Sequence, residues 1–194
     1  LAFGCLDCAA AAEHLAEQGF GVNGVHFLSR SLDTPFGERR AEFNLARLPP
    51  EEMPEGRVLA IQHLTPQYLW QDRYLTHSNG AIALDEIVVC VEEPITVVRR
   101  YEKYFGKPAS EEFNSWNFTL RQGNFVITTP ATLLKKFDIN PPTTPYAAAI
   151  KIKTQGLKTT RRILEKNNVV YTEKKYGLQV AAAEAAGANI IFTE

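Results

Sequence analysis

The sequence predicts an α+β fold of repeated βαβββ modules that form curved mixed sheets. Three observations predict it. A strand, a helix and then several strands follow one another three times along the 194 residues. Each copy offers a single helix with one apolar side. Prolines 141, 142 and 145 break the chain between the second copy and the third. One helix is too few to cover both faces of a sheet, so neighbouring copies must bury shared surface. Paired units of this kind leave a concave sheet face, which suits a small molecule.

In the first copy, residues 1–6 read as a short strand and 9–18 as an alanine-rich helix with Leu15 inward. Strands follow at 22–28, 40–48 and 57–62, with a loop at Pro49, Pro50 and Pro54. The second copy opens at 84–91, Leu-Asp-Glu-Ile-Val-Val-Cys-Val, whose β-branched content reads as a strand. Glu92, Glu93 and Pro94 place carboxylates and a proline where a helix starts. Val97, Val98, Tyr101, Tyr104 and Phe105 then recur at helical spacing, and Gly106 and Pro108 end the run. Strands at 116–120 and 125–129 are split by the turn signal Gln122-Gly123-Asn124. The third copy begins with an alternating strand at 147–153. A helix at 156–166 carries Leu157, Thr160, Ile163 and Leu164 on one face, and strands at 169–171, 178–180 and 189–192 complete it. The expected organisation is therefore a first module at 1–70, a linker at 71–82, a second module at 83–140 and a third at 141–194. Three modules of a kind that works in pairs leave one unpaired, and the chain begins at Leu1 without an initiator Met. The expectation is a missing N-terminal module that partners the first.

Composition narrows the function. Apolar residues make up 45% and charged residues 22%, which excludes disorder, collagen-like repeats and coiled coils. A net charge of −1 speaks against a nucleic-acid partner. No apolar run approaches the ~18 residues that cross a bilayer, so a membrane role is not expected. Three cysteines are the wrong number for a disulfide framework and fit a reducing, cytoplasmic setting.

Two short motifs attract attention and fail on context. Cys5-Leu6-Asp7-Cys8 has the spacing of a redox pair at a helix start, but no second pair completes a zinc site. Gly19-Phe20-Gly21-Val22-Asn23-Gly24 spells a dinucleotide fingerprint, which requires a strand before it and a helix after it. Here a helix precedes and a strand follows, so Gly19 reads as a helix C-cap and the other glycines as turn residues. Asn117-Phe118-Thr119 spells a glycosylation acceptor with no sign of secretion beside it.

The repeat resembles the vicinal oxygen chelate superfamily, the glyoxalase and extradiol-dioxygenase group, over nearly the whole chain. It is similar in particular to glyoxalase-like proteins of unassigned activity. Two segments carry that similarity: Gln62-His63-Leu64-Thr65-Pro66-Gln67-Tyr68-Leu69-Trp70 and His77-Ser78-Asn79-Gly80-Ala81. The resemblance implies a cleft between modules, where active members hold a divalent metal (Zn, Fe, Mn or Ni) with His, Glu or Gln on the first and last strands of each module. It places Glu86 where a metal histidine often sits and Ile127 near the usual carboxylate position. In the third module, residues 147–149 and Ile191 fall at the corresponding places. In the first, Phe3 replaces a ligand, while Gln62 and His63 offer one. A full ring does not assemble from these positions.

The residues themselves point the same way. The four histidines, His14, His26, His63 and His77, show no HxH or HxxxH spacing. His63 and His77 flank an aromatic segment with Trp70, and each reads as a cleft residue or as a lock on the linker. Asn79-Gly80 is a turn. Glu86, a carboxylate in a β-branched strand, faces either a cleft or water. The candidate residues are His63 and Glu86 as metal ligands or catalytic groups, with Trp70, His77 and Asn79 for substrate. Two functions fit them. One is a metal-dependent lyase, isomerase or dioxygenase in which the ion polarises adjacent substrate oxygens. The other is a metal-free protein of the same fold that binds or sequesters a small molecule. A homodimer would complete an uncovered module face.

Overall fold

Asp7 starts the first helix of the computed structural model, which describes all 194 residues. Its carboxylate accepts from the amides of Ala9 and Ala10 at 2.8 and 3.1 Å, an N-cap that satisfies donors the helix cannot pair itself. The helix, α1 (Cys8–Glu17), follows a short strand, β1 (Ala2–Gly4), and precedes β2 (Val25–Thr34), β3 (Gly37–Arg47) and β4 (Leu59–His63). Gly19 and Gly24 turn the chain with φ of 88° and 70°, and the Gly21 amide donates to both carboxylate oxygens of Glu52 at 3.0 and 3.1 Å. The dinucleotide-like glycines thus form a turn.

These strands make a four-stranded sheet in the order β1-β4-β3-β2, with β1 parallel to β4 and the other pairs antiparallel. Side chains alternate between its faces. On one, Cys8 and Ala12 of α1 pack on Ala46 and Ala60, small residues that let the helix lie close. On the other, Ala41, Phe43 and Leu45 pack with Leu28, Leu32, Leu59 and Ile61. Two single-turn helices follow, α2 (Pro66–Leu69) and α3 (Asp72–Leu75), and Leu69 joins that second face. Residues Leu1–Leu75 form one compact unit and Thr76–Glu194 another.

The second unit holds two βαβββ modules in one eight-stranded sheet, ordered β10-β11-β12-β9-β5-β8-β7-β6. The first module comprises β5 (Ala81–Cys90), α4 (Pro94–Phe105), β6 (Ser110–Glu112), β7 (Ser115–Thr119) and β8 (Asn124–Thr128). An eight-residue helix, α5 (Pro130–Phe137), follows it. The next module comprises β9 (Tyr146–Thr154), α6 (Leu157–Lys166), β10 (Thr172–Lys174), β11 (Gly177–Val180) and β12 (Asn189–Thr193). Antiparallel pairing of β5 with β9 joins the two, and the parallel pairs β5–β8 and β9–β12 flank that seam. The strand expected at 169–171 lies instead at Thr172–Lys174, because Asn168 takes a left-handed φ of 55° and Val169 is still bonded to the end of α6.

Both long helices lie on one face of this sheet. Tyr101 of α4 packs against Phe118 and Phe125, with ring centroids at 6.4 and 4.6 Å. Leu164 of α6 packs with Leu178, Val180 and Phe192. The opposite face is covered by α5, whose Leu133 and Phe137 join Val88, Cys90, Val126, Ala149 and Ile191. The sequence reading did not foresee this helix. Its start is nonetheless written twice, as Thr65-Pro66-Gln67-Tyr68-Leu69 and as Thr129-Pro130-Ala131-Thr132-Leu133. Each follows the last strand of a module, and in each the leucine three residues after the proline packs on the face away from the module's long helix. No helix of the protein is long and apolar enough to cross a membrane.

Candidate functional site

The seam of the second unit carries a charged centre. Pairing runs from Leu84↔Ile152 to Glu86↔Lys151, so Asp85 is an extra residue and β5 bulges there. A bulge re-aims side chains and often marks a site. Here both acids reach one lysine: the Lys151 Nζ lies 3.2 Å from Glu86 Oε2 and 3.7 Å from Asp85 Oδ2. The side chains of Glu86 and Lys151 are only 12% and 19% exposed, so each depends on the other for compensation. The second Glu86 oxygen, Oε1, is buried with no hydrogen-bond partner. Gly123 abuts the bulge with φ of 75°, and a Cβ there would sit 2.8 and 2.9 Å from the carbonyl oxygens of Leu84 and Asp85.

Beside this centre, between the two modules, lies a cavity of about 500 Å³. The end of α5 supplies Lys135, Lys136 and Phe137, the β10–β11 turn supplies Lys175 and Tyr176, the middles of β5 and β9 supply Asp85 and Lys151, and Thr193 at the end of β12 is joined by Glu194. The Tyr176 hydroxyl contacts the Gln179 side chain and lies 3.2 Å from the Phe137 carbonyl oxygen. Burial, with Asp138 nearby, pushes its pKa up and keeps it a proton donor.

The first unit places two of the candidate residues together. His63 ends β4 on the face opposite α1. It meets the edge of Phe43 at 5.2 Å and stacks on Trp70 at 6.1 Å. Its Nδ1 is buried without a partner, while Trp70 is 55% exposed. Gln62 faces the other way, accepting from the Cys8 amide at 3.2 Å and donating to the Leu6 carbonyl at 2.7 Å.

Asn79 and His77 belong to the second unit, in the turn that leads into β5. The Gly80 amide donates to the His77 carbonyl at 2.9 Å, and Asn79 Oδ1 accepts from the Ala81 amide at 3.1 Å. The Thr160 hydroxyl donates to the Asn79 carbonyl at 2.8 Å, tying this turn to α6. The His77 side chain is exposed. Neither residue lines the cavity. The sequence reading missed Lys151, Lys135, Lys175 and Tyr176. For Lys151 the signal was present in Ile150-Lys151-Ile152-Lys153, whose alternation sets both lysines on the face opposite the isoleucines.

Zinc and iron sites need three or four His, carboxylate or thiolate groups at about 2.0–2.3 Å. No group of three or more such residues converges in this protein. At the seam, an ammonium stands against the Glu86 carboxylate, and the donor set there does not fit a divalent ion. The cysteines are no better suited. Burial and the neighbouring Cys8 push the Cys5 pKa up to about 11, the reverse of a redox-active thiol.

The sequence pattern described as a glyoxalase-like domain matches residues 1–105, more than half of the chain. The chain belongs to the glyoxalase-like domain family. Its βαβββ modules and curved mixed sheets are those of the vicinal oxygen chelate superfamily. The glyoxalase-like chain is similar in fold to a hypothetical protein from Staphylococcus aureus, with a TM-score of 0.64 and 13% identity. That match covers 97% of this chain and 63% of the other, so this chain spans less than two thirds of its length. A methylmalonyl-CoA epimerase from Mycobacterium tuberculosis matches at a TM-score of 0.48 and 13% identity, covering 64% of this chain and 96% of that one. A comparison with curated proteins finds no significant match.

Proposed function

We propose that this glyoxalase-like protein binds a small molecule without a metal, in the cavity between the modules of its second unit. The observation that carries the reading is Lys151. Its ammonium occupies the seam between Asp85 and Glu86, where the resemblance would put an ion, and it also lines the cavity. A fixed ammonium offers a hydrogen-bond donor beside a bound ligand while leaving Glu86 no role as a metal ligand. Three free cysteines support a reducing, cytoplasmic setting.

Metal analysis with thermal unfolding tests the reading. The purified protein should hold less than about a tenth of an equivalent of metal, and added Zn, Fe, Mn or Ni should leave the melting temperature unchanged. An ion at 100 times its Kd would instead add about 2.7 kcal/mol of stability.

A second reading rests on His63, whose Nδ1 is buried without a hydrogen-bond partner. In it His63 acts as base or metal ligand, with Trp70 stacking on the substrate. A stoichiometric metal that is lost on His63→Ala would establish this reading and remove the first.

A further inference from the structure

We infer that the cavity of the second unit takes an organic anion, its carboxylate or phosphate held by Lys135 and Lys175. The inference rests on the cavity being the ligand site and adds the class of ligand.

The charges around the cavity do not balance. Lys151 is compensated by Glu86 and Asp85. Glu194 accepts from the Leu157 amide at 3.0 Å, which satisfies part of its carboxylate. Lys136 lies over the Phe137 ring at 5.2 Å. Lys135 and Lys175 have neither a carboxylate partner nor a hydrogen bond within the protein. The neighbouring Lys174, outside the cavity, is neutralised by Asp138 at 3.0 Å. Lys135 and Lys175 therefore stand at one opening without a carboxylate partner, in a protein whose net charge is −1. A general excess of lysine does not explain them. A recess with low-dielectric walls concentrates such a field and attracts an anion. Ammonium-to-oxyanion hydrogen bonds are about twice as strong as neutral ones.

The walls supply the rest of the recognition. Phe137 and Tyr176 meet edge to face at 5.4 Å, giving an apolar surface for the body of the ligand. A bare inorganic anion would leave that surface unused, whereas an organic acid or phosphate ester uses both parts.

Titration calorimetry with benzoate, phenyl phosphate and the neutral benzamide tests the inference, in EDTA and again with Mn²⁺ added. At least one anion should bind in EDTA about tenfold or more tighter than benzamide, and binding should weaken as salt rises. The Lys135→Gln, Lys175→Gln double variant should lose about tenfold in affinity or more, while Lys166→Gln, on α6 outside the cavity, should not. All these lysines are exposed, and unchanged circular dichroism melts would confirm that the variants fold. Equal binding of benzamide and benzoate overturns the inference. So does an unchanged affinity in the double variant, or no binding of either anion at about 10 mM. Binding that appears only with Mn²⁺, yet still falls in the double variant, would support the anion seat and overturn the metal-free reading.

Discussion

The same device covers a sheet face in both units, to different depths. In the first, the four residues of α2 lay Leu69 on the face lined by Phe43 and Leu45 and leave it half-buried. In the second, the eight residues of α5 bring both Leu133 and Phe137 to the face lined by Val88 and Val126, at 0% and 4% exposure. One extra turn of helix makes that difference. With it, the middle of the second face becomes core, and the open volume is pushed to one end, where lysines collect. Without it, the first face keeps an aromatic corner in which His63 lies against an exposed Trp70. Where a polar group can still meet a ligand is decided by how far the covering segment reaches.

The largest expected effect falls on the deeper cover. Leu133→Ala should cost about 2–5 kcal/mol in urea unfolding, through lost burial and the cavity left behind. Leu69→Ala should cost about half as much or less, because its site is already part-solvated. Equal costs would break the contrast between a sealed face and a covered one. Next comes the seam. Lys151→Gln should cost about 1–3 kcal/mol by stranding buried carboxylates, and adding Glu86→Gln should recover part of it. Strictly additive effects in that double-mutant cycle would mean the two side chains do not act together.

Smaller effects separate the two Thr-Pro starts. Thr129 caps α5, accepting from the Thr132 amide at 3.3 Å, so Thr129→Ala should cost about 1 kcal/mol and Thr129→Ser little. Thr65 does not cap α2. Its hydroxyl accepts from the Glu42 amide at 2.8 Å and pins the segment to β3. Thr65→Ala should therefore speed amide exchange at Glu42, with no matching loss at the start of α2. The smallest effect is read chemically. Burial holds the thiols of Cys5 and Cys90 neutral, with pKa values of about 11. A raised folded-state pKa means the resulting stability is complete below the unfolded value of about 8.5 and is lost as pH rises through about 11. Iodoacetamide labelling of half-buried Cys5 should keep rising to about pH 11, while Cys90, at 0% exposure, should stay unlabelled until the second unit opens. A plateau for Cys5 near pH 8.5 would show that its environment is open.

Much of the fold was legible because its signals are local. The apolar stripe of Val97, Val98, Tyr101 and Tyr104 is a property of helical spacing, and all four side chains are buried. The β-branched run before it became the central strand β5. The helix α5 was hidden because eight residues give only two turns of periodicity, and its partners Val88, Ala149 and Ile191 are distant in sequence. Lys151 was hidden for a related reason. A lysine in an alternating strand reads as solvent-facing until pairing brings a bulged Asp85 and Glu86 opposite it. His63 and Trp70, only seven residues apart, were grouped from sequence and do stack. Asn79 was legible as a turn residue, and its carbonyl bond to Thr160, 81 residues away, was not.

The sequence by itself determined the repeat, the α+β class and the family, because strand and helix periods and turn residues are written within a few residues of one another. It also settled that the glycines at 19–24 form a turn, since the order of flanking elements is itself a sequence property. Only the tertiary structure decided which face of each sheet is filled and which charges meet there. A bulge of one residue at Asp85 sets two carboxylates against one ammonium, and Leu133 and Phe137 of α5 fill the middle of the face beside them. Register and long-range packing fix both outcomes, and neither is encoded in any short stretch of the chain.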